Sequence, residues 1–288
     1  MNVAERQRPP PGELYLDHLA HFVPDLDAAA KVLEALGFTV TPLSSHKVSD
    51  KPAGTANRCL MLEEGYIEIL APTLDTPHAR RVRERMKSFV GVHLACFGTP
   101  DAAAEHARLA AHGFEPEPLV RLERTVEGGD IARFDVVYVP PGKMAEGRIQ
   151  YVQQLTPEHL WREPHVNREF RLTAVYVAAG DPVETAARWA RFAGLLPRPD
   201  GDLVNLECAR GRVVIGASRT LSRLLGAAPP APALAGYSLA VSDPQGFANR
   251  CARAGLKVAA TPQGPWVALP PALGGAWLLE SLVKEEGP

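Results

Sequence analysis

Four residues whose side chains could bind a metal ion or move a proton recur at matching places in the first half of the chain. His18 lies in LDHLAHFVPDLDAAAKVLEALGF and His93 in GVHLACFGTPDAAAEHARLAAHGF, and the two segments can be placed with these histidines in register. Further along, YIEILAP can be placed over YVQQLTP, which brings Gln153 to the position of Glu68. Two neutral imidazoles, a carboxylate and an amide oxygen suit Fe²⁺, Mn²⁺, Co²⁺, Ni²⁺ or Zn²⁺ and leave positions open for substrate oxygens.

Each of these residues also has a structural explanation. A lone histidine on a strand is usually a half-buried structural side chain, so a metal site is favoured only because His18 and His93 recur together with Glu68. An amide is a weaker ligand than a carboxylate. Three roles therefore stay open for Gln153: metal ligand, partner of a metal-bound water, or substrate contact.

Three further side chains are candidates for substrate binding. His46 precedes the GTAN segment in a predicted loop, where it could act as an acid or base, and Asn57 could donate to a substrate oxygen. Trp161 follows the last strand of the second copy and could form a lid or wall. The structural alternatives are a surface histidine, an amide that stabilises a turn and an indole that packs in the core.

The elements that must position these residues form a unit that occurs four times. Residues 16–22 predict a strand because side chains alternate between its two faces. Asp25 or Asp27 can cap the following helix, and Gly37 suits its C-terminal end. The unit recurs from residue 91 and, without the histidine, from residues 171 and 235.

Each copy predicts strand, helix, strand, strand, strand, so the predicted fold is α+β with four βαβββ modules. Two such modules, each a curved sheet with one helix on its back, enclose a cleft. We expect a flexible arm over residues 1–13 and a metal-bearing domain over 14–167, with modules 14–72 and 91–157. A degenerate second domain is expected over 168–288, with modules 171–218 and 236–283. Ala174 and Ser238 stand at its histidine positions, so it cannot hold the same metal.

The bulk composition narrows the class of protein. The 288 residues are 46% hydrophobic and 22% charged, which is enough apolar material for a sizeable core. A net charge of −2 gives no reason to expect nucleic acid or an anionic membrane as a partner. No stretch approaches the apolar length of a membrane span. The four cysteines form no CxxC pair, so a reducing cytoplasm is the predicted setting.

The duplicated βαβββ plan, the opening LDHLAHFVPDLDAA and the strand YIEIL resemble the vicinal oxygen chelate superfamily. That superfamily includes glyoxalase I, methylmalonyl-CoA epimerase, extradiol dioxygenases and fosfomycin-resistance proteins. The segments GTAN and QLTPEHLWREPHVN resemble more narrowly its glyoxalase-like domain subfamily. The resemblance implies one divalent metal in the cleft of two paired modules, held at the positions His18, Glu68, His93 and Gln153.

The function that this resemblance implies is a metal-dependent lyase or isomerase acting on a small oxygenated compound, with an anionic one favoured. The metal would stabilise the developing oxyanion, and Glu68 could dissociate from it to serve as a base. One alternative is an extradiol dioxygenase that uses His18, His93 and Glu68. The other is a non-catalytic small-molecule-binding protein of the same fold. The second domain is expected to pack on the first, complete its cleft or mediate a homodimer.

Overall fold

A computed structural model describes residues 2–48, 51–226 and 230–282. The element order repeats four times as strand, helix, strand, strand, strand, which confirms the predicted α+β fold. The first half comprises β1 (Tyr15–Phe22), α1 (Leu26–Ala35), β2 (Ser44–Val48), β3 (Lys51–Glu64), β4 (Tyr66–Pro72), α2 (Pro77–Met86), β5 (Gly91–Gly98), α3 (Ala102–Ala111), β6 (Val120–Thr125), β7 (Ile131–Tyr138) and β8 (Arg148–Gln154).

The second half follows the same plan. Residues 283–288, which the sequence assigned to this half, lie outside the described residues. Its elements are β9 (Val166–Ala179), α4 (Pro182–Ala193), β10 (Pro197–Asp200), β11 (Leu203–Glu207), β12 (Arg212–Ala217), α5 (Ser218–Leu225), β13 (Ala233–Val241), α6 (Pro244–Arg253), β14 (Val258–Thr261), β15 (Gly264–Ala268) and β16 (Ala276–Ser281).

The strands of the first two modules close into a barrel. Their order is β3-β2-β6-β7-β8-β5-β1-β4, and β4 pairs again with β3. The two modules join along two seams, where His46 lies opposite Arg124 and His18 lies opposite Cys96. The enclosed space is therefore the inside of a barrel rather than an open cleft between two sheets.

The strands of the last two modules form an open sheet instead. Their order is β10-β11-β12-β9-β13-β16-β15-β14, and β9 joins this sheet to the barrel by parallel pairing with β3. Helix α5 packs Leu221, Leu224 and Leu225 into one apolar cluster with Trp266 and Leu278 of this sheet. In this half, apolar side chains fill the space beside the sheet, whereas the corresponding space in the first half is a cavity.

One apolar core connects the two halves. Tyr151 of the barrel stacks on Phe192 of α4, with ring centroids 5.2 Å apart. Phe38 packs on Phe170 at 4.6 Å. The boundary predicted near residue 167 therefore marks a change of sheet, and the buried cluster continues across it.

The predicted flexible arm is instead packed against the barrel. Val3 and Ala4 are buried in the same cluster as Tyr66 and Trp161. Gln7 is fully buried and donates to the carbonyl oxygens of Val3 and Glu63 at 2.8 and 3.0 Å. The prediction rested on charge and proline content and missed these apolar contacts.

None of the helices in the described ranges has the length and apolar character needed to span a bilayer.

Candidate functional site

The barrel contains an inner pocket that adjoins a larger outer chamber. The inner pocket has a volume of about 70 Å³ and the outer chamber about 660 Å³. The two spaces adjoin each other, because five residues line both of them: His46, His78, Leu122, Tyr138 and Arg148.

His18 lines the inner pocket in a fixed orientation. Its Nδ1 donates to Oδ1 of Asp17 at 2.6 Å, and its ring stacks on Tyr66 with centroids 4.3 Å apart. Asp17 is fully buried and also accepts from Nε2 of Gln154 at 3.1 and 3.2 Å. Because Nδ1 of His18 donates its hydrogen bond to Asp17, Nε2 is the ring atom left to exchange a proton with a ligand.

Neighbours on a regular strand point to opposite faces, yet Asp17 and His18 meet. The register of β1 against β5 shifts between Leu16 and His18. Such an irregularity redirects a side chain locally, and it explains how two consecutive residues form one buried pair.

Glu68 forms the second oriented group in the inner pocket. Its Oε1 accepts a hydrogen bond from Nδ2 of Asn57 and lies 3.5 Å from Nε2 of His46. Nδ1 of His46 is 2.9 Å from the hydroxyl oxygen of Thr55. His46 lies on β2 and not in the predicted loop. The paired strands β2, β3 and β4 thus bring together three of the predicted site residues, namely His46, Asn57 and Glu68.

Burial and charge fix the protonation of this group at neutral pH. Burial lowers the pKa of His46 to about 4, and Arg124 and Arg148 also lower it. Burial alone would raise the pKa of Glu68, but His46 and His18 in their protonated forms, the charge of Arg124 and the hydrogen bond from Asn57 outweigh burial and lower it. The pocket therefore holds an ionised Glu68 beside a neutral His46.

Two arginines give the inner pocket an excess of positive charge. Arg124 is only 5% exposed, and its Nη1 donates to Sγ of Cys59 at 3.4 Å. Arg148 lies over the ring of Tyr138 at 4.5 Å. In the described part of the chain neither guanidinium has a carboxylate within 4.0 Å. Because an unpaired buried charge is costly, this pocket is suited to a bound anion.

Two of the four predicted metal ligands lie elsewhere. Nε2 of His93 donates to the carbonyl oxygen of Phe89 at 2.8 Å, and its ring stacks on the Phe89 ring at 4.1 Å. Gln153 accepts from the backbone N of Ala102 at 3.1 Å and so caps the start of α3. Neither side chain lines the inner pocket.

The strand pairing shows that the sequence alignment of the first module with the second, which matched His18 to His93 and Glu68 to Gln153, is wrong. In the first module His18 lies opposite Tyr66 and Ala20 opposite Glu68. In the second, Leu94 lies opposite Arg148 and Cys96 opposite Gln150. The helix caps Asp25 and Asp101 agree with this superposition.

Leu94 therefore corresponds to His18, and Gln150 corresponds to Glu68. Aligning the histidines shifted the strands by an odd number of residues, and an odd shift moves a side chain to the opposite face of a strand. Matching Asp25 to Asp101 in the sequence would have found Leu94, whereas the pairing of β5 with β8 is what identifies Gln150. Its Oε1 is buried in the inner pocket without a hydrogen-bond partner among the described residues.

Trp161 packs in the core and forms neither a lid nor a wall of the pocket. It is 2% exposed, its Nε1 donates to the carbonyl oxygen of Leu62 at 3.1 Å, and its ring meets Tyr66 edge-on at 5.5 Å. Trp161 supports Tyr66, which in turn supports His18. The structural alternative considered for Trp161 is the one observed.

The donor set does not fit a divalent metal. Across residues 2–48, 51–226 and 230–282 no three His, Cys, Asp or Glu side chains converge as a metal site. Of the four predicted ligands, the inner pocket is lined by His18 and Glu68, while His93 and Gln153 lie outside it. Arg124 and Arg148 line the same pocket and would repel a cation.

Several pocket residues were not singled out by the sequence. They are Asp17, Tyr66, His78, Arg124, Tyr138 and Arg148. The inward-facing alternation of β6, β7 and β8 was the available signal for the last three. It could not show which face is inward, because that depends on barrel closure.

Comparisons with known proteins agree with this architecture. The family described as Glyoxalase-like domain matches residues 16–193. A hypothetical protein from Staphylococcus aureus is similar in structure, with a TM-score of 0.67 and 14% identity, covering 93% of this chain and 100% of that chain. A mutant of 4-hydroxymandelate synthase from Streptomyces coelicolor has a TM-score of 0.58 and 14% identity, covering 93% and 92%. A comparison with curated proteins finds no match.

A xylose isomerase-like TIM barrel/4-hydroxyphenylpyruvate dioxygenase fusion protein is similar over part of its length. Its TM-score is 0.59 at 12% identity, and the match covers 97% of this chain and 51% of that chain. At these identities the structural matches show a shared fold only. The family match covers well over half of the 288 residues and includes the whole barrel. The chain therefore belongs to the glyoxalase-like domain family.

Proposed function

We propose that the inner pocket binds a small, anionic, oxygenated compound and transfers a proton within it, as a lyase or isomerase does. One observation carries this proposal. Two acid–base side chains, each oriented by its own buried partner, line one pocket together with unpaired arginines. His18 is held by Asp17, and Glu68 is held by Asn57.

Binding would rely on the arginines and on two free amide oxygens. A carboxylate or enolate oxygen can accept charge-assisted hydrogen bonds from Arg124 and Arg148. Oδ1 of Asn57 and Oε1 of Gln150 are buried with no donor among the described residues. They are suited to accept a hydrogen bond from a substrate hydroxyl group.

The proton step follows from the charges in the pocket. Glu68 is ionised and takes a proton from a carbon next to a carbonyl group, which leaves negative charge on the carbonyl oxygen. The arginines stabilise that charge in a site of low dielectric constant. Glu68 then passes this proton to the unprotonated Nε2 of His18, which exchanges it with solvent. Return of a proton from His18 to a different carbon or face gives an isomerase, and its transfer to a departing β-substituent gives a lyase.

We assign no step to Fe²⁺, Mn²⁺, Zn²⁺, Ni²⁺ or Co²⁺, because the predicted ligands do not converge. The dioxygenase alternative required His18, His93 and Glu68 together, and the contacts of His93 lie elsewhere. A non-catalytic binding protein is the second candidate. It is favoured by the lowered pKa of Glu68, since a more acidic carboxyl group is a weaker base.

Hydrogen exchange from solvent distinguishes these two candidates. The protein is incubated in D₂O with a panel of 2-oxo and 3-oxo acids, and NMR follows deuterium at the carbon next to the carbonyl group. We expect exchange with the wild type and loss of exchange in Glu68→Gln and His18→Gln. His112→Gln is the matched control, because His112 lies at the exposed end of α3.

Acids that raise the melting temperature without any exchange would support the binding protein. Exchange that persists in both Glu68→Gln and His18→Gln would contradict the proposed roles of these residues.

Two expectations about the setting remain proposals. All four cysteines are free, which suits a reducing compartment such as the cytoplasm. A homodimer through the second half remains a prediction, and light scattering can measure it.

A further inference from the structure

The outer chamber is far larger than the reacting part of the proposed substrate requires. Its volume of about 660 Å³ lies within the range of binding sites for drug-sized ligands. Because it shares lining residues with the inner pocket, a ligand that reacts in the pocket can extend into the chamber.

One wall of the chamber is apolar. It is formed by side chains from β6, β8 and the segment that follows β7, namely Leu122, Val139, Pro140, Pro141, Met144 and Ile149. A wall of this kind binds hydrocarbon by removing it from water, at about 0.8 kcal/mol for each buried methylene group.

The positive charge of the chamber comes from α2 and β8. Arg81 and Arg85 of α2 line the chamber beside His78, whose pKa burial lowers to about 3, and Arg148 lines both the chamber and the inner pocket. Burial and the charge of Arg148 lower the pKa of Arg85, so these two guanidinium groups repel each other across the chamber.

The carboxylates of α2 and its surroundings do not neutralise this positive charge. Asp75 pairs with Arg80 at 2.8 Å and with Arg83 at 3.7 Å, and Glu84 lies 2.6 Å from Nζ of Lys87. Glu84 and Glu117 both line the chamber. In the ranges that the structure describes, none of these carboxylates lies within 4.0 Å of the guanidinium groups of Arg81, Arg85 or Arg148.

Helix α5, at the corresponding place in the second half, differs from α2 in the side chains that it presents. Helix α5 follows β12 as α2 follows β4, and its three leucines fill the concave face of the open sheet. Helix α2 presents His78, Arg81 and Arg85 together with Val82 and Glu84, and a chamber remains beside it. A helix that served only to close the barrel would need the apolar side chains of α5.

We propose that the substrate is an acid with an extended apolar body, such as a medium-chain or arylalkyl carboxylic acid. Its carboxylate lies between Arg85 and Arg148, its reactive carbon enters the inner pocket, and its apolar body runs along the wall of the outer chamber. This assignment rests on the proposed function, because it uses the same inner pocket.

Calorimetric titration of the full-length protein with hexanoate, octanoate, decanoate and decanol tests the assignment without any turnover. Affinity should rise about fourfold with each added methylene group until the chamber is full. Decanol should bind about tenfold more weakly than decanoate, because it lacks the charge-assisted hydrogen bonds. Arg85→Gln should weaken decanoate about tenfold, and Arg85→Lys should restore part of that loss.

Arg83→Gln is the matched control. Arg83 lies on the same helix, donates to the carbonyl oxygen of Leu74 at 3.1 Å and does not line the chamber. Equal binding of decanol and decanoate, equal loss in Arg83→Gln and Arg85→Gln, or no dependence on chain length would each overturn the assignment. Circular dichroism of each variant shows that it is folded.

The proposed reaction and this assignment can fail separately. Decanoate that binds Glu68→Gln as tightly as the wild type, with no deuterium exchange in the wild type, would leave the assignment intact and remove the reaction. Exchange of short oxo acids by a protein that does not bind decanoate would do the reverse.

Discussion

Nδ1 of His18 donates to Oδ1 of the preceding residue, Asp17, at 2.6 Å. Tyr66 stacks on the His18 ring, and Nε2 of Gln154 donates to Asp17. The pair of His18 and Asp17 fixes the imidazole ring at the base of the inner pocket. A buried carboxylate with both oxygens hydrogen-bonded is also a structural element, so it contributes to stability whether or not the protein is an enzyme.

We expect Asp17→Asn to lower the free energy of unfolding by about 1–3 kcal/mol. The new amide group would place a donor against Nε2 of Gln154, which already donates to both oxygens of Asp17. Urea denaturation measures the change. Asp27→Asn is the control, because the Asp27 side chain is 67% exposed and its ion pair with Arg58 is worth little. Equal unfolding midpoints for the wild type and Asp17→Asn would refute this account.

The purified protein should hold well below one equivalent of any divalent metal. The reason is that His93 and Gln153 contact Phe89 and Ala102 instead of the inner pocket. Elemental analysis, followed by titration with Zn²⁺, Mn²⁺, Co²⁺, Ni²⁺ and Fe²⁺, is the measurement. One tightly held equivalent that is lost in His93→Ala would show that the sequence-based ligand set is correct after all.

Gln150→Glu should weaken the binding of a small dianion such as oxalate about tenfold, whereas Gln153→Glu should leave it unchanged. The first substitution adds a carboxylate to the inner pocket and offsets the charge of the arginines there. The second adds the same charge at the start of α3, where Gln153 now accepts from Ala102. Calorimetry compares the two variants. Equal effects would mean that only net charge matters.

Stability should fall as the pH is lowered from about 6.5 towards 4. His21 is fully buried, donates from Nδ1 to the carbonyl oxygen of Leu273 and accepts at Nε2 from the hydroxyl of Tyr237, each at 3.0 Å. Burial lowers its pKa from 6.5 to about 4, so the unfolded chain binds a proton in this window before the folded protein does. Stability from the neutral ring is thus complete above the unfolded pKa and is lost below it.

The expected loss from His21 alone is about 2 kcal/mol at pH 5. Urea denaturation at pH 7.5 and pH 5 gives the slope, which should be shallower in His21→Gln and unchanged in His112→Gln. A slope that is the same in all three proteins would show that His21 is not the titrating group.

A fragment of residues 1–170 should be much less stable than the full chain, despite containing the whole barrel. It lacks Phe192 and Trp189, which pack on Tyr151 and Phe97 of the barrel. The full chain should accordingly unfold in one transition by calorimetry and by tryptophan fluorescence. A soluble fragment with the melting temperature of the full chain would contradict a shared core.

The sequence by itself determined the repeated unit and much of the inner pocket. The alternation of β1, the capping aspartates and the glycine after α1 are local features. Such features depend on residues close together in the chain and can be recognised in a single sequence. Of the two predicted caps, Asp25 is the one that accepts from the first turn of α1, at 2.9 and 3.0 Å. His18, Glu68, Asn57 and His46 were all identified, and all four line the inner pocket.

Only the tertiary structure decided which residues of the second module face them. Leu94 and Gln150, not His93 and Gln153, correspond to His18 and Glu68, because strand register depends on pairing across the sheet and not on spacing along the chain. The unpaired charges of Arg124 and Arg148 likewise emerge only once β6 and β8 close the barrel. Whether a side chain is buried and lacks an oppositely charged partner depends on strands that are distant in the sequence, so no local pattern of residues indicates it.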